Sequence, residues 1–585
     1  MGTIDTQINA TQHPAESAEA GDLQIETPEK PTDVTSSNIE DEDELVPHLH
    51  MKTYLTVFAI CLIYFAQLVN VVGAGARAQD IGALLGGSAE IVWLTSPSTM
   101  FTCILGPPLS QAADYWGRRH ILIVTTVFGA VGSIIVARAS SMNMAIAGQC
   151  VIGLSYAAQP LLHVVTSEVL PRRYRPWAQA ADNVAVSLGG FVGLVVGGAM
   201  ARNGYHVGFR NFWYLTTGLF ALAALLCFVL YNPPARALQL SLTNVEKLKR
   251  LDWIGYFLLA SGLVLFCVGL SWSQNPYQWT DPQILATFLI GIVLLAIFAV
   301  YEIKFIEDGI FHHALFSQGR NYNIALLCVF TEALAFFAAN NYFILQVIVF
   351  NESDSLLSGV RYSITFIVYG LSSILTGSFC STTKKIRIPA VVAYVSMTIF
   401  FICMATTTPK TDNPTWGYPV FLGIGLGACL CSVVTAAQLS TPPELIAIAS
   451  GLLIAVRGLG GAIALAVYNA IYTGTYSSKL SPKIAEAVLP LGLPASSLPD
   501  FIAALSASNT TALGLVPEVT TEIIIAGTNG MFRSYNVAFR YVWITAGCFT
   551  VLAAIAAVFL VDPVKEFNMR IDAPAEKDED LFSRK

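Results

Sequence analysis

Charge is the scarcest ingredient of this sequence. Asp, Glu, Lys and Arg make up only 12% of its 585 residues, about half the share usual in soluble proteins. Apolar residues make up 54%, and the mean hydropathy is +0.60. That imbalance excludes a string of soluble domains and predicts a helical protein that crosses a membrane many times. The chain lacks a phosphate-binding glycine loop, which argues against work driven by ATP. It has no catalytic signature, so it does not read as an enzyme, and no feature points to nucleic acid. No metal site is expected: His312 and His313 stand alone in a polar connection. The 11 cysteines all fall within apolar runs. No external disulfide framework is implied, and they read as small buried apolar residues.

The start of the chain has neither a basic cluster nor an apolar segment, so it does not read as a signal peptide. Residues 1–47 hold twelve Asp or Glu against one lysine, Lys30, a net −11 of the total −7, which leaves the remainder near +4. With few large apolar residues, residues 1–50 are expected to be a disordered acidic tail. Such a tail is too short and polar for a folded sensor domain, which disfavours a receptor built on a carrier.

What the chain has in abundance is apolar runs of about 20 residues. Fourteen are expected, near 54–75, 91–110, 120–138, 143–166, 180–200, 211–231, 253–272, 284–303, 322–346, 361–381, 388–407, 417–437, 447–470 and 540–561. With the N-terminus inside, seventeen Lys and Arg flank the inner ends and seven the outer ends, which places both termini in the cytoplasm. Two glycosylation sequons, at Asn351 and Asn509, then fall outside.

The chain repeats itself: "AVSLGGFVGLVV" from Ala185 and "AVRGLGGAIALAV" from Ala455 share Leu-Gly-Gly in the fifth and thirteenth runs. An interval of eight runs is what two six-helix halves and two inserted helices would give. The expected organisation is a six-helix bundle over 51–235, a linker and two inserted helices over 236–303, and a second bundle over 304–470 and 540–562. A long external loop at 471–539, partly helical around "SPKIAEAVLPLGLP", and a cytoplasmic tail at 563–585 complete it. A substrate cavity would lie between the bundles.

"SQAADYWGRRH", Ser110 to His120, lies between the second and third runs on the inner side. It resembles the signature of the major facilitator superfamily in that loop, Gly-x-x-x-Asp-x-x-Gly-Arg-Arg/Lys. Asp114, Gly117, Arg118 and Arg119 match, and Ser110 stands in place of the first glycine. Gly117 allows a tight turn. Asp114 is placed to face the positive N-terminal end of a helix in the other half, as a charge latch on the inner gate. "SEVLPRRYRP", from Ser167, is similar to the acidic-then-basic loop of the superfamily, with Glu168 expected to pair with Arg172 or Arg175. Proton-coupled exporters of the superfamily usually carry an arginine in the fourth span, where this chain has Gln149. Gly189, Gly193, Gly197 and Gly198 resemble the exporters' antiporter motif, Gly-x-x-x-Gly-Pro-x-x-Gly-Gly, with Leu194 in place of the proline. A plain helix-packing seam would look much the same.

Fourteen runs, the long outer loop, and "LDWIGYFLLASGLVLFCVGLSW" from Leu251 followed by "NPYQW" resemble the fungal trichothecene efflux-pump family and its relatives, the fungal siderophore-iron transporters. The resemblance spans about residues 50–565. It implies an all-α membrane protein with the major facilitator fold.

Ionisable residues deep in a membrane are functional candidates. His163, Glu332 and Arg457 are singled out, with Glu332 and Arg457 at a shared depth that allows a buried pair. Glu332 reads as a proton or substrate site, and Arg457 first as a structural partner. His163 either titrates or simply bonds to a neighbour. Tyr64, Gln67, Asn70, Gln159, Asn340, Asn341 and Gln346 offer polar contacts to a substrate. The expected activity is secondary transport without a cofactor, driven by a proton gradient. Its substrate is a small apolar metabolite, toxin or drug that leaves the cell; uptake of ferric siderophores is the alternative. The expected protein is a lipid-embedded monomer of the plasma membrane, or of a vacuolar or vesicular one.

Overall fold

The computed structural model describes residues 49–202, 205–234, 239, 243–272, 280–306, 315–316, 319–352, 354–506 and 510–573. Among these, thirteen helices are long and apolar enough to cross a membrane. A fourteenth, Ser96–Trp116, is equally long but more polar. In chain order they are α1 (Met51–Ala76), α2 (Ser96–Trp116), α3 (Arg118–Ala137), α4 (Met142–Glu168), α5 (Arg175–Arg202) and α6 (Tyr205–Leu230). Then come α7 (Trp253–Trp272) and α8 (Pro282–Lys304). The second set is α9 (Arg320–Phe350), α10 (Ser355–Thr383), α11 (Arg387–Thr406), α12 (Tyr418–Leu439), α13 (Ile446–Val488) and α14 (Thr521–Val558).

Polar residues in α2 are tolerated because their hydroxyls bond back to the helix. Thr99 donates to the Ser96 carbonyl at 2.9 Å, Thr102 to Ser98 at 2.7 Å and Ser110 to Gly106 at 2.8 Å. Helix α4 is broken at Ala157 and Ala158, just before Pro160. Pro160 has no N–H for the Tyr156 carbonyl. That carbonyl accepts from Thr102 instead, at 3.3 Å.

The halves are related in the way the Leu-Gly-Gly repeat suggests. A Cβ on Gly189 of α5 would lie 2.6 Å from the Phe65 carbonyl of α1. A Cβ on the equivalent Gly460 of α13 would lie 2.5 Å from the Phe330 carbonyl of α9. Helix α5 also packs on α10 and α13 on α2, so each reaches the second helix of the opposite half. Only glycine permits backbones this close. The inserted pair, α7 and α8, pack on each other, and α7 leans on α2 and α13 through Leu263, Cys267, Met100, Cys103 and Ala462.

The outer loop expected at 471–539 is largely helix. At 43 and 38 residues, α13 and α14 are far longer than the ~20 residues a bilayer needs. Their extensions form a hairpin closed by short helices at Leu498–Ser506 and Thr510–Leu515. Ile484, Val488, Phe501, Leu505 and Ile523 give it a small core, and the Tyr476 and Tyr535 rings stack at 4.4 Å. Hydropathy marks only the part of each helix that faces lipid, so the run ends early. Asn351 follows α9 at this end of the molecule, and Asn509 lies outside the described residues.

Candidate functional site

Polar side chains gather in three layers between the two ends of the helices. In the middle, Glu332 of α9 and Arg457 of α13 form a bidentate ion pair, with Nε to Oε2 at 2.6 Å and Nη2 to Oε1 at 3.1 Å. The Arg457 guanidinium sits over the Phe336 ring at 5.9 Å. A narrow space of about 30 Å³ beside it is walled by Leu68, Val71, Thr99, Gln159, Phe336 and Phe337. Nearby, Asn70 donates to Gln149 at 3.4 Å and to the Tyr156 hydroxyl at 3.1 Å. Gln67 donates to the Ser155 carbonyl at 2.8 Å. The amide Gln149 therefore joins α1 to α4 where an arginine was the family expectation.

Toward the end that carries the long hairpin, a cavity of about 190 Å³ is lined by Gln79, Asn341, Tyr342, Asn469 and Tyr472. Asn341 itself donates to the Phe337 carbonyl at 2.9 Å. Asn340 is fully buried, and neither its amide nitrogen nor its oxygen has a hydrogen-bond partner among the described residues. Gln346 accepts from the Trp543 indole at 2.6 Å and so joins helices rather than facing this cavity.

Between the ion pair and the opposite, basic end lies a cluster within the first half. His163 Nδ1 bonds to Gln179 Oε1 at 2.7 Å, and Nε2 meets the Tyr64 hydroxyl at 3.3 Å. Asp182 of α5 is fully buried beside it, with Thr166 Oγ1 at 2.7 Å, Cys61 Sγ at 3.6 Å and His163 Nδ1 at 3.6 Å.

At the basic end, charged residues of the two halves are bonded together. Gly117 adopts φ +95° between α2 and α3, a conformation that favours glycine. Arg118 bonds to Glu168 and, at 3.2 Å, to Asp114. Arg119 reaches the end of α6, bonding to Asn232 at 3.1 Å. The expected partners of Glu168 are thus corrected: it is held by Arg118, while Arg172 and Arg175 turn to the segment that follows α14. Arg172 bonds to Glu566 at 2.7 Å and to Asp572 at 3.1 Å, and Arg175 bonds to Asp572. Backbone bonds run alongside, from Arg172 N to the Arg570 carbonyl at 3.0 Å and from Arg173 N to the Asn568 carbonyl at 2.8 Å. This strap ties the second half to the first. Beneath it, Arg175 also donates to the Gln438 carbonyl at 3.1 Å, and Gln438 Nε2 to the His163 carbonyl at 3.3 Å.

The glycines of the antiporter-like motif line packing surfaces. Gly193 abuts the Val69 carbonyl of α1, and Gly197 abuts the Phe212 ring of α6. The sequence reading missed Asp182, Gln179, Gln438 and Asp572. Asp182 carried a signal, since a carboxyl inside an expected span is rare. Asp572 and Gln438 carried none, because the partners that tie them to the other half, Arg172, Arg175 and His163, are hundreds of positions away.

The chain matches the model of the fungal trichothecene efflux pump (TRI12) family over residues 55–570. It is 23% identical to the trichothecene efflux pump TRI12 of Fusarium sporotrichioides, over 83% of this chain and 81% of that one. It is 25% identical to the efflux transporter pyiT of Pyricularia grisea, a match that spans 64% of this chain and 63% of that protein. A shorter match, 25% identical over 43% of this chain and 47% of the other, is to vacuolar basic amino acid transporter 5 of Saccharomyces cerevisiae. The fold is shared with a bacterial homologue of the lysosomal transporter Spinster, inward-facing and unoccupied, at TM-score 0.55, 15% identity and coverage of 87% and 98%. The xylose transporter XylE of E. coli gives TM-score 0.51, 13% identity and coverage of 86% and 98%. These are membrane transporters rather than enzymes. The chain belongs to the fungal trichothecene efflux-pump family of the major facilitator superfamily.

Proposed function

We propose that the protein exports a small, mostly apolar metabolite or toxin in exchange for protons. The observation that carries this reading is the wall of the central space. Leu68, Val71, Phe336 and Phe337 present aliphatic and aromatic surface around one ion pair that is already satisfied. Such a site takes its affinity from apolar burial and orients its ligand with a few polar groups. Thr99 and Gln159, which line the same space, support such contacts. Relatives that bear the name of efflux pumps support the outward direction. The excess of Lys and Arg at the strap end supports a cytoplasmic location for that end and both termini. The protein acts as a monomer in the plasma membrane; the vacuolar relative supports an internal membrane as the other location.

The amides Gln79, Asn341 and Asn469 in the second cavity favour a second reading, uptake of a polar ferric siderophore. Deletion of the gene separates the two. Export is supported if the deleted strain retains, and is poisoned by, an apolar toxin while it grows on ferric siderophores. Loss of growth on a siderophore as sole iron source, with toxin tolerance unchanged, favours import instead.

A further inference from the structure

We propose that Asp182 and His163 form the proton-binding site of this transporter, with Asp182 the group that takes up and releases the exchanged proton. This rests on the proton-coupled reading above and adds the site to it.

Asp182 lies seven positions beyond Arg175, the first residue of α5, and so roughly 10 Å in from the strap end. Its three contacts are with Thr166, Cys61 and His163, and among the described residues no Lys or Arg lies within 4.0 Å of it. A buried carboxylate without a cation is costly, whereas the neutral acid needs only a hydrogen-bond partner. The Thr166 hydroxyl meets both Asp182 Oδ2 at 2.7 Å and the Leu162 carbonyl at 2.9 Å. One hydroxyl hydrogen cannot serve both acceptors fully. If Asp182 is the acid, it donates to Thr166, and Thr166 donates to Leu162.

The histidine is arranged to match. Gln179 donates through Nε2 to Ser167 at 2.6 Å and to the His163 carbonyl at 3.2 Å, which turns its Oε1 toward Nδ1. His163 Nδ1 therefore carries a hydrogen, and Nε2 accepts from Tyr64. A neutral imidazole thus stands 3.6 Å from the Asp182 acid. Glu332 contrasts with this: Arg457 donates to both of its oxygens.

The gate covers this site directly. Gln438 of α12 accepts from Arg175 and donates to the His163 carbonyl and to Ser450. Separation of the halves at the strap end breaks the bonds that Gln438 makes with Arg175 and with the His163 carbonyl and admits water to the cluster. The O–H bond of the Asp182 acid then breaks, water takes the proton, and the carboxylate left behind is solvated. His163 is placed to share the charge. An empty, deprotonated carrier cannot reclose without burying that charge; a bound substrate must offset this cost, so that the halves reclose with substrate and the carboxylate takes its next proton from the opposite side.

The ionisable groups around Asp182 are few. Helix α1 presents Cys61 and Tyr64, and α4 presents His163, with Glu168 at its end taken by Arg118. Helix α10 presents Tyr369, bonded to Asn183 beside Asp182, and α12 presents Cys431, bonded to the Pro176 carbonyl. Cys227 of α6 lies toward Arg119, and the Glu332–Arg457 pair lies beyond Tyr64.

The test uses purified full-length protein in liposomes, a fluorescent apolar toxin as probe, and two assays. One is accumulation under an imposed proton gradient; the other is exchange of labelled for unlabelled probe without a gradient. Asp182→Asn should lose accumulation yet retain measurable exchange, with exchange no longer dependent on pH. Asp182→Glu should restore part of the accumulation. If Asp182→Asn still accumulates probe, or loses exchange while folded and inserted, the assignment is wrong. If wild type shows no dependence on the gradient, the proton-coupled reading itself fails. A second measurement needs no variant. Dicyclohexylcarbodiimide reacts with protonated carboxyls in apolar surroundings, and mass analysis of labelled wild type should find it on Asp182, less so as pH rises. Labelling of Glu332 with Asp182 unmodified would overturn the proposal.

Discussion

Arg175, the first residue of α5, is bonded to Asp572, which lies beyond the end of α14 in the opposite half. Both side chains are almost fully buried, at 1% and 3% exposure. Removing one partner of a buried pair leaves the other uncompensated, typically at a cost of about 3–5 kcal/mol. Asp572→Ala should therefore destabilise closure of the strap end. Spin labels on Arg173 and Thr382, which are exposed and belong to opposite halves, should report a single short distance in the parent and an added longer one in the variant. An unchanged distance distribution would mean that the strap does not hold the gate.

Arg118 holds both Glu168 and Asp114, so the gate motif has a hierarchy. Arg118→Ala should slow transport most, Glu168→Gln less, and Asp114→Asn least. Asp114 is partly exposed, and its contact with Arg118 is weakened by solvent. Transport rates at equal membrane abundance give the order, and an Asp114 variant slower than the Arg118 variant would refute it.

The ion pair in the middle leads to a stability prediction. Glu332→Gln and Arg457→Gln should each lower the unfolding temperature in detergent, because each strands a buried charge. The double variant should recover much of the loss. Additive losses in the double variant would show that the two residues act separately.

The glycine seam divides by position. Gly189→Val should prevent α5 from seating on α1, since its Cβ would meet a backbone carbonyl at 2.6 Å. Gly460→Val should fail in the same way against α9. Gly218→Ala, which meets nothing within 4 Å, should express and transport normally. Equal expression of all three in membranes, with normal transport, would refute the close-packing account.

Much of the fold was legible because lipid imposes a simple rule: a helix facing it must be apolar. Spans such as 54–75 and 253–272 therefore stand out in the sequence. The extensions of α13 and α14 did not, since beyond the membrane they are amphipathic and bury only a small core around Phe501 and Ile523. The Leu-Gly-Gly repeat pointed to the pseudo-symmetry because close helix crossings demand glycine in both halves. Glu332 and Arg457 were legible as isolated charges at a shared depth. The strap was not, because Asp572 and Arg175 are far apart in sequence and each looks like an ordinary charge beside a membrane. Asp182 was visible as a carboxyl within an apolar run, but its lack of a cationic partner appears only once α1, α4 and α5 are packed together.

The central claim is exchange of an apolar substrate for protons. It is tested most directly with purified protein in liposomes, its strap end labelled to select one orientation, and an apolar toxin supplied on that side. Export should drive the toxin away from the strap end against its concentration gradient when the opposite side is acidic, and stop when a proton ionophore collapses the gradient. Equal toxin on both sides at steady state, with or without the ionophore, would contradict it.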